Sequence, residues 1–146
     1  MVSEEEAFDD LLYSARSGDL EDAIQCLKDN PGIAKYKSKS CSGATPLHYA
    51  AANGHVEIMR LLISHGADLN AVNEYGNTPL HFAAINEKVD AVQLLLNHKA
   101  NAALPNEFNR NPFDEAVAKN NGRIRHMLMT HIEENQNANV EDLEKE

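Results

Sequence analysis

Tryptophan is absent from this chain of 146 residues, and aromatic residues amount to four tyrosines and four phenylalanines. Any core must therefore rest on aliphatic side chains and alanine. Cysteine is scarce as well: Cys26 and Cys41 form no framework pattern and read as free thiols of a reducing compartment. Cys26 lies on a helix-period apolar face and is expected in the core, whereas Cys41 falls in a loop. No apolar run approaches the roughly 18 to 20 residues that span a bilayer, so no membrane association is expected. The opening MVSEEEAFDD is acidic and lacks an apolar core segment, so it does not read as a secretory signal. The expected location is the cytoplasm, extending to the nucleus.

Basic residues are also short in supply. Thirteen Lys and Arg face 23 Asp and Glu, giving a net charge of −10. The imbalance sits at the two ends. Residues 1–22 hold eight acids against Arg16 alone, and residues 133–146 hold six against Lys145 alone. The 110 residues between are close to neutral, with eleven bases and nine acids. Such a field repels phosphate, so direct nucleic-acid binding is not expected. The acidic ends read as solubilising segments, or as an attraction for a basic partner.

Catalytic arrangements are missing too. There is no phosphate-cradling glycine loop and no ligand cluster at metal spacing. Cys41 has His48 seven residues on, but no acid is implied to orient that histidine. No enzyme activity and no cofactor or metal is expected.

What is present is a period. Residues 44–70 read ATPLHYAAANGHVEIMRLLISHGADLN, and residues 77–101 read NTPLHFAAINEKVDAVQLLLNHKAN. Thr45, Thr78 and Asn111 lie 33 residues apart, the last opening a weaker copy, NPFDEAVAKNN. A fixed period of this length means one supersecondary unit stacked on copies of itself. In the second full copy Thr78 is an N-cap and Pro79 takes the first helical position, where a missing N–H costs nothing. Leu80, Ala83 and Ala84 give a short helix whose small residues allow close approach of neighbours. Asn86 and Glu87 turn the chain, and Val89, Val92, Leu94, Leu95 and Leu96 form the apolar face of a second helix. The first full copy repeats the plan with Thr45, Pro46, the Asn53-Gly54 turn and the apolar run Val56, Ile58, Met59, Leu61, Leu62 and Ile63. Gly66 closes that helix, and Gly43 and Gly76 read as positive-φ positions in the hairpins between units.

The outer copies are degraded. Residues 9–27 match the first full copy at an offset of 36, with Ala15, Gly18, Leu20 and Leu27 aligned on Ala51, Gly54, Val56 and Ile63. In the last copy Asn109 replaces the hairpin glycine, Asp114 replaces histidine, and Asn121-Gly122 reads as a turn two residues late. Ile124, Met127, Leu128 and Ile132 supply the last apolar face. Helices are predicted near 5–16, 20–29, 46–52, 56–64, 79–85, 89–98, 112–119 and 123–134. Residues 30–42 contain an insertion that lengthens the first connection.

The TPLH-x-A-A pattern at this period resembles the ankyrin repeat. The resemblance implies an all-α solenoid of about four helix–turn–helix repeats with short hairpin loops. It implies a single domain over residues 1–134, with repeats near 5–38, 39–71, 72–104 and 105–134. Residues 135–146 are expected to form a disordered acidic tail. In that family the histidines corresponding to His48 and His81 hydrogen-bond at the loop-to-helix junction and fix the next hairpin. His48, His55, His65 and His81 are each explained by repeat position, which argues against metal ligation. The fold also implies a binding module, monomeric when free, that docks another protein on its concave side.

Subtracting the positions that the repeat requires leaves candidate partner-binding residues on that side. These are Tyr49, Glu74, Tyr75, Asn77, Phe82, Glu107, Phe108, Arg110 and Glu115. Tyr49 pairs with Phe82 and Tyr75 with Phe108 in repeat position, and Glu74 pairs with Glu107. Aromatics on such a face act as anchors or pack against neighbouring elements, and both readings stand. The carboxylates favour a partner rich in Arg or Lys. The segments LLYSARSGDLED, AAANGHVE and NEFNRNPFDEAVAKNNG further resemble fungal ankyrin-repeat chaperones of a small-subunit ribosomal protein. Phe113, Glu115 and Ala116 fit the last repeat of that group, while Phe82 stands where it often has tryptophan. This resemblance implies a dedicated chaperone that shields a basic ribosomal protein before assembly. The alternative is a generic ankyrin adaptor or inhibitor docking a non-basic protein.

Overall fold

The computed structural model describes residues 2–144. Its α-helices are α1 (Glu4–Ser17), α2 (Leu20–Asp29), α3 (Pro46–Asn53), α4 (Val56–Ser64), α5 (Pro79–Ile85), α6 (Val89–Asn97), α7 (Pro112–Ala118) and α8 (Gly122–Glu144). A 3-10 turn over Pro31–Lys35 occupies the inserted first connection. No strand occurs among the described residues. Consecutive helices pair as antiparallel hairpins, and the pairs stack. α1, α3, α5 and α7 run as one inner layer, and α2, α4, α6 and α8 back them.

Local chemistry sets the helix starts. Thr45, Thr78 and Asn111 each cap an inner helix, with proline in the first helical turn. In each case the residue three positions on closes a capping box, and in α3 and α5 that residue is histidine. The Thr45 N–H donates to His48 Nδ1 at 3.0 Å, and the Thr78 N–H donates to His81 Nδ1 at 3.0 Å. A backbone N–H can only donate, so Nδ1 accepts and the ring proton sits on Nε2. From Nε2, His48 donates to the Asn77 carbonyl at 2.8 Å and His81 to the Arg110 carbonyl at 2.8 Å. Each histidine thus starts its own helix and holds the hairpin of the next unit, which is the role the resemblance implied.

The hairpins have an organiser that sequence reasoning did not single out. Asn73 Oδ1 accepts from the Tyr75 and Asn77 amides, each at 3.0 Å. Asn106 Oδ1 accepts from the Phe108 and Arg110 amides at 3.0 and 3.1 Å. Ser38 plays the part in the longer first hairpin, taking the Ser40 and Cys41 amides. All three residues are buried. Neighbouring hairpins are joined directly: the Glu74 amide donates to the Ser42 carbonyl at 2.8 Å and the Glu107 amide to the Tyr75 carbonyl at 3.0 Å.

The core is aliphatic, as the scarcity of aromatics requires. Leu62, Leu95 and Leu128 recur at the 33-residue period and are completely buried. Ala50, Ala51, Ala83, Ala84 and Ala116 are likewise inaccessible. Their small side chains leave the inner helices free to pack closely.

Two expectations need correction at the C-terminal end. The last helix–helix turn is not two residues late. Gly54, Glu87 and Asn120 are left-handed at φ 71°, 57° and 55°, so the turn keeps the period. Asparagine tolerates that conformation, and Asn121 Oδ1 then takes the Ile124 amide at 3.0 Å. Residues 135–144, expected to be disordered, instead continue α8 through Glu144. No proline or glycine follows Gly122, and Glu, Gln, Ala and Leu are good helix formers. The remainder of the predicted tail, Lys145 and Glu146, lies outside the described residues.

Burial pushes the pKa of His48 down to about 4 and lowers that of His81 in the same direction. In the unfolded chain both titrate near 6.5. Folding therefore favours the neutral rings, and the stability they contribute is complete above pH ~6.5 and declines as pH falls towards ~4. Urea unfolding at pH 7.5 and pH 5 is expected to show a lower midpoint at pH 5, where carboxylates are still ionised. A His48→Gln, His81→Gln double variant should show a flatter dependence. His81→Ala should cost about 2 kcal/mol or more, because it strands the buried Thr78 amide.

Candidate functional site

The hairpin tips project from the inner-helix side, and the period places equivalent residues in rows. Cys41, Glu74 and Glu107 share one position, two residues before Gly43, Gly76 and Asn109. Ser42, Tyr75 and Phe108 share the next. Tyr75 is 47% exposed and Phe108 is 71% exposed, and Glu74 and Glu107 beside them are exposed. No ion pair among the described residues engages either carboxylate.

The other expected site residues divide differently. Asn77 is half-buried and committed to the scaffold. Its carbonyl takes the His48 ring proton, and its Oδ1 accepts from Asn106 Nδ2 at 3.0 Å. Arg110 is half-buried and pairs with Glu115 at 3.5 Å, and its carbonyl serves His81. Glu115 itself is turned inward at 9% exposure, with Asn106 Nδ2 as a second donor at 3.4 Å. It is therefore not a carboxylate free for a partner. It shares a repeat position with Tyr49 and Phe82, but the hairpin root below it offers two donors and the side chain goes to them.

The inner-helix aromatics are half-buried. The Phe82 ring meets the His48 ring edge-on with centroids 5.1 Å apart, so one side of it belongs to the repeat junction. Tyr49 carries the Arg16 guanidinium over its ring at 4.4 Å from the centroid. The row starts one repeat earlier than expected. At the 36-residue offset Tyr13 corresponds to Tyr49, and it is 68% exposed on α1. The signal was available in the alignment of Ala15 with Ala51.

Arg16 also places Nη2 at 3.7 Å from Cys41 Sγ. The neighbouring Tyr49, Ser38 and Ser40 hydroxyls, together with Arg16, outweigh partial burial and hold the Cys41 thiol down to about 7. Cys26 is the opposite case: burial, then the charges of Asp22 and Asp10, push it up to about 11. A cleft beside α1 is lined by Glu4, Phe8, Tyr36 and Lys37 among others, and within it the Tyr36 hydroxyl donates to Glu4 at 3.0 Å. No group of three or more His, Cys, Asp or Glu among the described residues is placed to hold a metal ion. No helix among them is long and apolar enough to cross a membrane.

Residues 11–107 and 66–142 match the family model described as "Ankyrin repeats (3 copies)". The chain belongs to the ankyrin-repeat family. Among its curated relatives, the E3 ubiquitin-protein ligase XBAT32 of Arabidopsis thaliana is 44% identical over 66 residues, which is 45% of this chain and 13% of the ligase. XBAT33 from the same plant, also an E3 ubiquitin-protein ligase, is 46% identical over 66 residues, with the same coverage. The human oxysterol-binding protein-related protein 1 is 40% identical over 76 residues, covering 47% of this chain and 8% of that protein. The match therefore spans about an eighth or less of each of these relatives. Ankyrin arrays of this kind are protein-interaction modules.

The two thiols of this ankyrin array should separate cleanly in labelling. Iodoacetamide at pH 7.5 is expected to modify Cys41 rapidly and to spare Cys26 in the native protein, as read by peptide mass spectrometry. Equal rates at both sites would contradict the environments described.

Proposed function

We propose that this protein is a non-enzymatic docking module whose hairpin row holds a basic segment of another protein. The observation that carries the reading is the repetition of one exposed carboxylate beside one exposed aromatic on two consecutive hairpins. Glu74 with Tyr75, and Glu107 with Phe108, offer a charge for Lys or Arg and an apolar surface for its neighbours. Both are mounted on backbone tied hairpin to hairpin, so little ordering entropy is lost on binding. In its fullest form the partner is a newly made, basic ribosomal protein, met in the cytoplasm or nucleus and shielded before assembly. That identity rests on the segments that resemble the fungal chaperones. The net charge of −10 supports a basic partner through faster, salt-dependent encounter.

The second reading is a generic ankyrin adaptor that docks a non-basic protein. The aromatic row Tyr13, Tyr49 and Phe82 favours it, since these rings can anchor an apolar surface without charge. Salt distinguishes the two. The full chain serves as bait for cell protein, and the captured protein is then purified and its affinity measured against ionic strength. A basic protein released by moderate salt supports the first reading, and a non-basic protein held in high salt overturns it.

For such a basic partner, Tyr75→Ala and Phe108→Ala should each weaken binding by about 1–2 kcal/mol. Stability should change by no more than about 0.5 kcal/mol, because both rings are exposed. A Glu74→Lys, Glu107→Lys double variant should lose both affinity and its salt dependence. Unchanged binding by that variant would sink the proposal.

A further inference from the structure

The hairpin row is not uniform along its length. At the repeat position where the second and third hairpins carry Glu74 and Glu107, the first carries Cys41, and Arg16 reaches across from α1 to cover it. The guanidinium is exposed, yet it is held at two points: over the Tyr49 ring at 4.4 Å and at 3.7 Å from Cys41 Sγ. No carboxylate among the described residues forms an ion pair with it. Aromatic stacking and contact with the protonated thiol fix an arginine without neutralising it, so below pH ~7, where Cys41 is uncharged, its charge stays available to a ligand. Read from the first hairpin to the third, the row is therefore positive, negative, negative.

We propose that this charge order fixes the direction in which a partner segment lies, with a carboxylate of the partner on Arg16 and basic side chains on Glu74 and Glu107. The proposal rests on the reading of the hairpin row as the docking surface and adds to it a polarity. Packed inner helices lie about 8–10 Å apart, so successive contacts are one such step apart. A helical partner meets that step with residues seven apart, since 1.5 Å per residue gives about 10.5 Å. Arg is suited to the end position because its planar fork takes a carboxylate through two parallel hydrogen bonds. A like-charged residue at the wrong end would face Arg16 or Glu107 directly, which excludes the uniformly basic segment as the best fit.

The test uses the whole protein at pH 6, where the Cys41 thiol is protonated, and synthetic helical peptides. One peptide carries Glu, Arg and Arg on one face at steps of seven residues. A second has the same composition with Glu in the middle, and a third has Gln in place of Glu. Binding is followed by amide and arginine Nε–H chemical shifts, which detect affinities into the millimolar range. The first peptide should bind wild type roughly fivefold more tightly than either of the others, the scale of an exposed ion pair. Arg16→Gln should erase that preference while leaving dependence on Glu74 and Glu107 intact. If all three peptides bind and Arg16→Gln leaves the preference unchanged, the polarity is wrong and the basic-segment reading survives. If no peptide perturbs the hairpin row, both are overturned.

Discussion

Two buried imidazoles hold this array together. His48 and His81 each accept from the backbone that starts their own helix and donate to a carbonyl of the following hairpin. A short inner helix of seven or eight residues is too small to be stable alone. Its start is fixed by a cap, its orientation by the hairpin, and the hairpin by the previous histidine. The alanine-lined contact between inner helices needs that chain of constraints, because small residues gain contact only when helices are held close. The low pKa of His48 is the same fact seen electrostatically: the ring is dry, and only its neutral form satisfies both partners.

The carbonyls and amides are thereby consumed in pairs, and the surface inherits what is left over. Asn77, Arg110 and Glu115 lie in the rows that face outward, yet their polar atoms close the hairpin root. The backbone of Tyr75, Phe108, Glu74 and Glu107 belongs to that network, but their side chains project from the tips beyond its reach. On the proposed reading, binding capacity is a remainder after satisfaction of the backbone, and the hairpin tips are where that remainder is left. Arg16 is the exception, a side chain brought to the row from the first helix and kept charged.

Much of this was legible in the residues themselves. Thr-Pro-Leu-His at a 33-residue spacing carries its own cap, helix start and junction, so helix positions could be read almost to the residue. The roles of Ser38, Asn73 and Asn106 were not legible, because short polar residues are ordinary in loops and only geometry shows which one gathers the amides. The inward turn of Glu115 is illegible for a related reason. Its row is aromatic in the other repeats, and nothing in the sequence shows that Arg110 folds back to meet it. Tyr13 is legible from the same 36-residue offset that aligns Ala15 with Ala51. The end of α8 was ambiguous in principle: an acidic, asparagine-bearing segment without proline or glycine is compatible with helix or with disorder until its neighbours are placed.

The histidine link also has a sense of direction. Each donor precedes its acceptor by 29 residues, and the donor is already seated by its own threonine before the acceptor carbonyl exists on a growing chain. A ribosome releasing this protein from its N-terminus would thus expose each socket before the piece that fits it. Assembly can then proceed by accretion, one unit at a time, with no requirement that distant parts of the chain find one another.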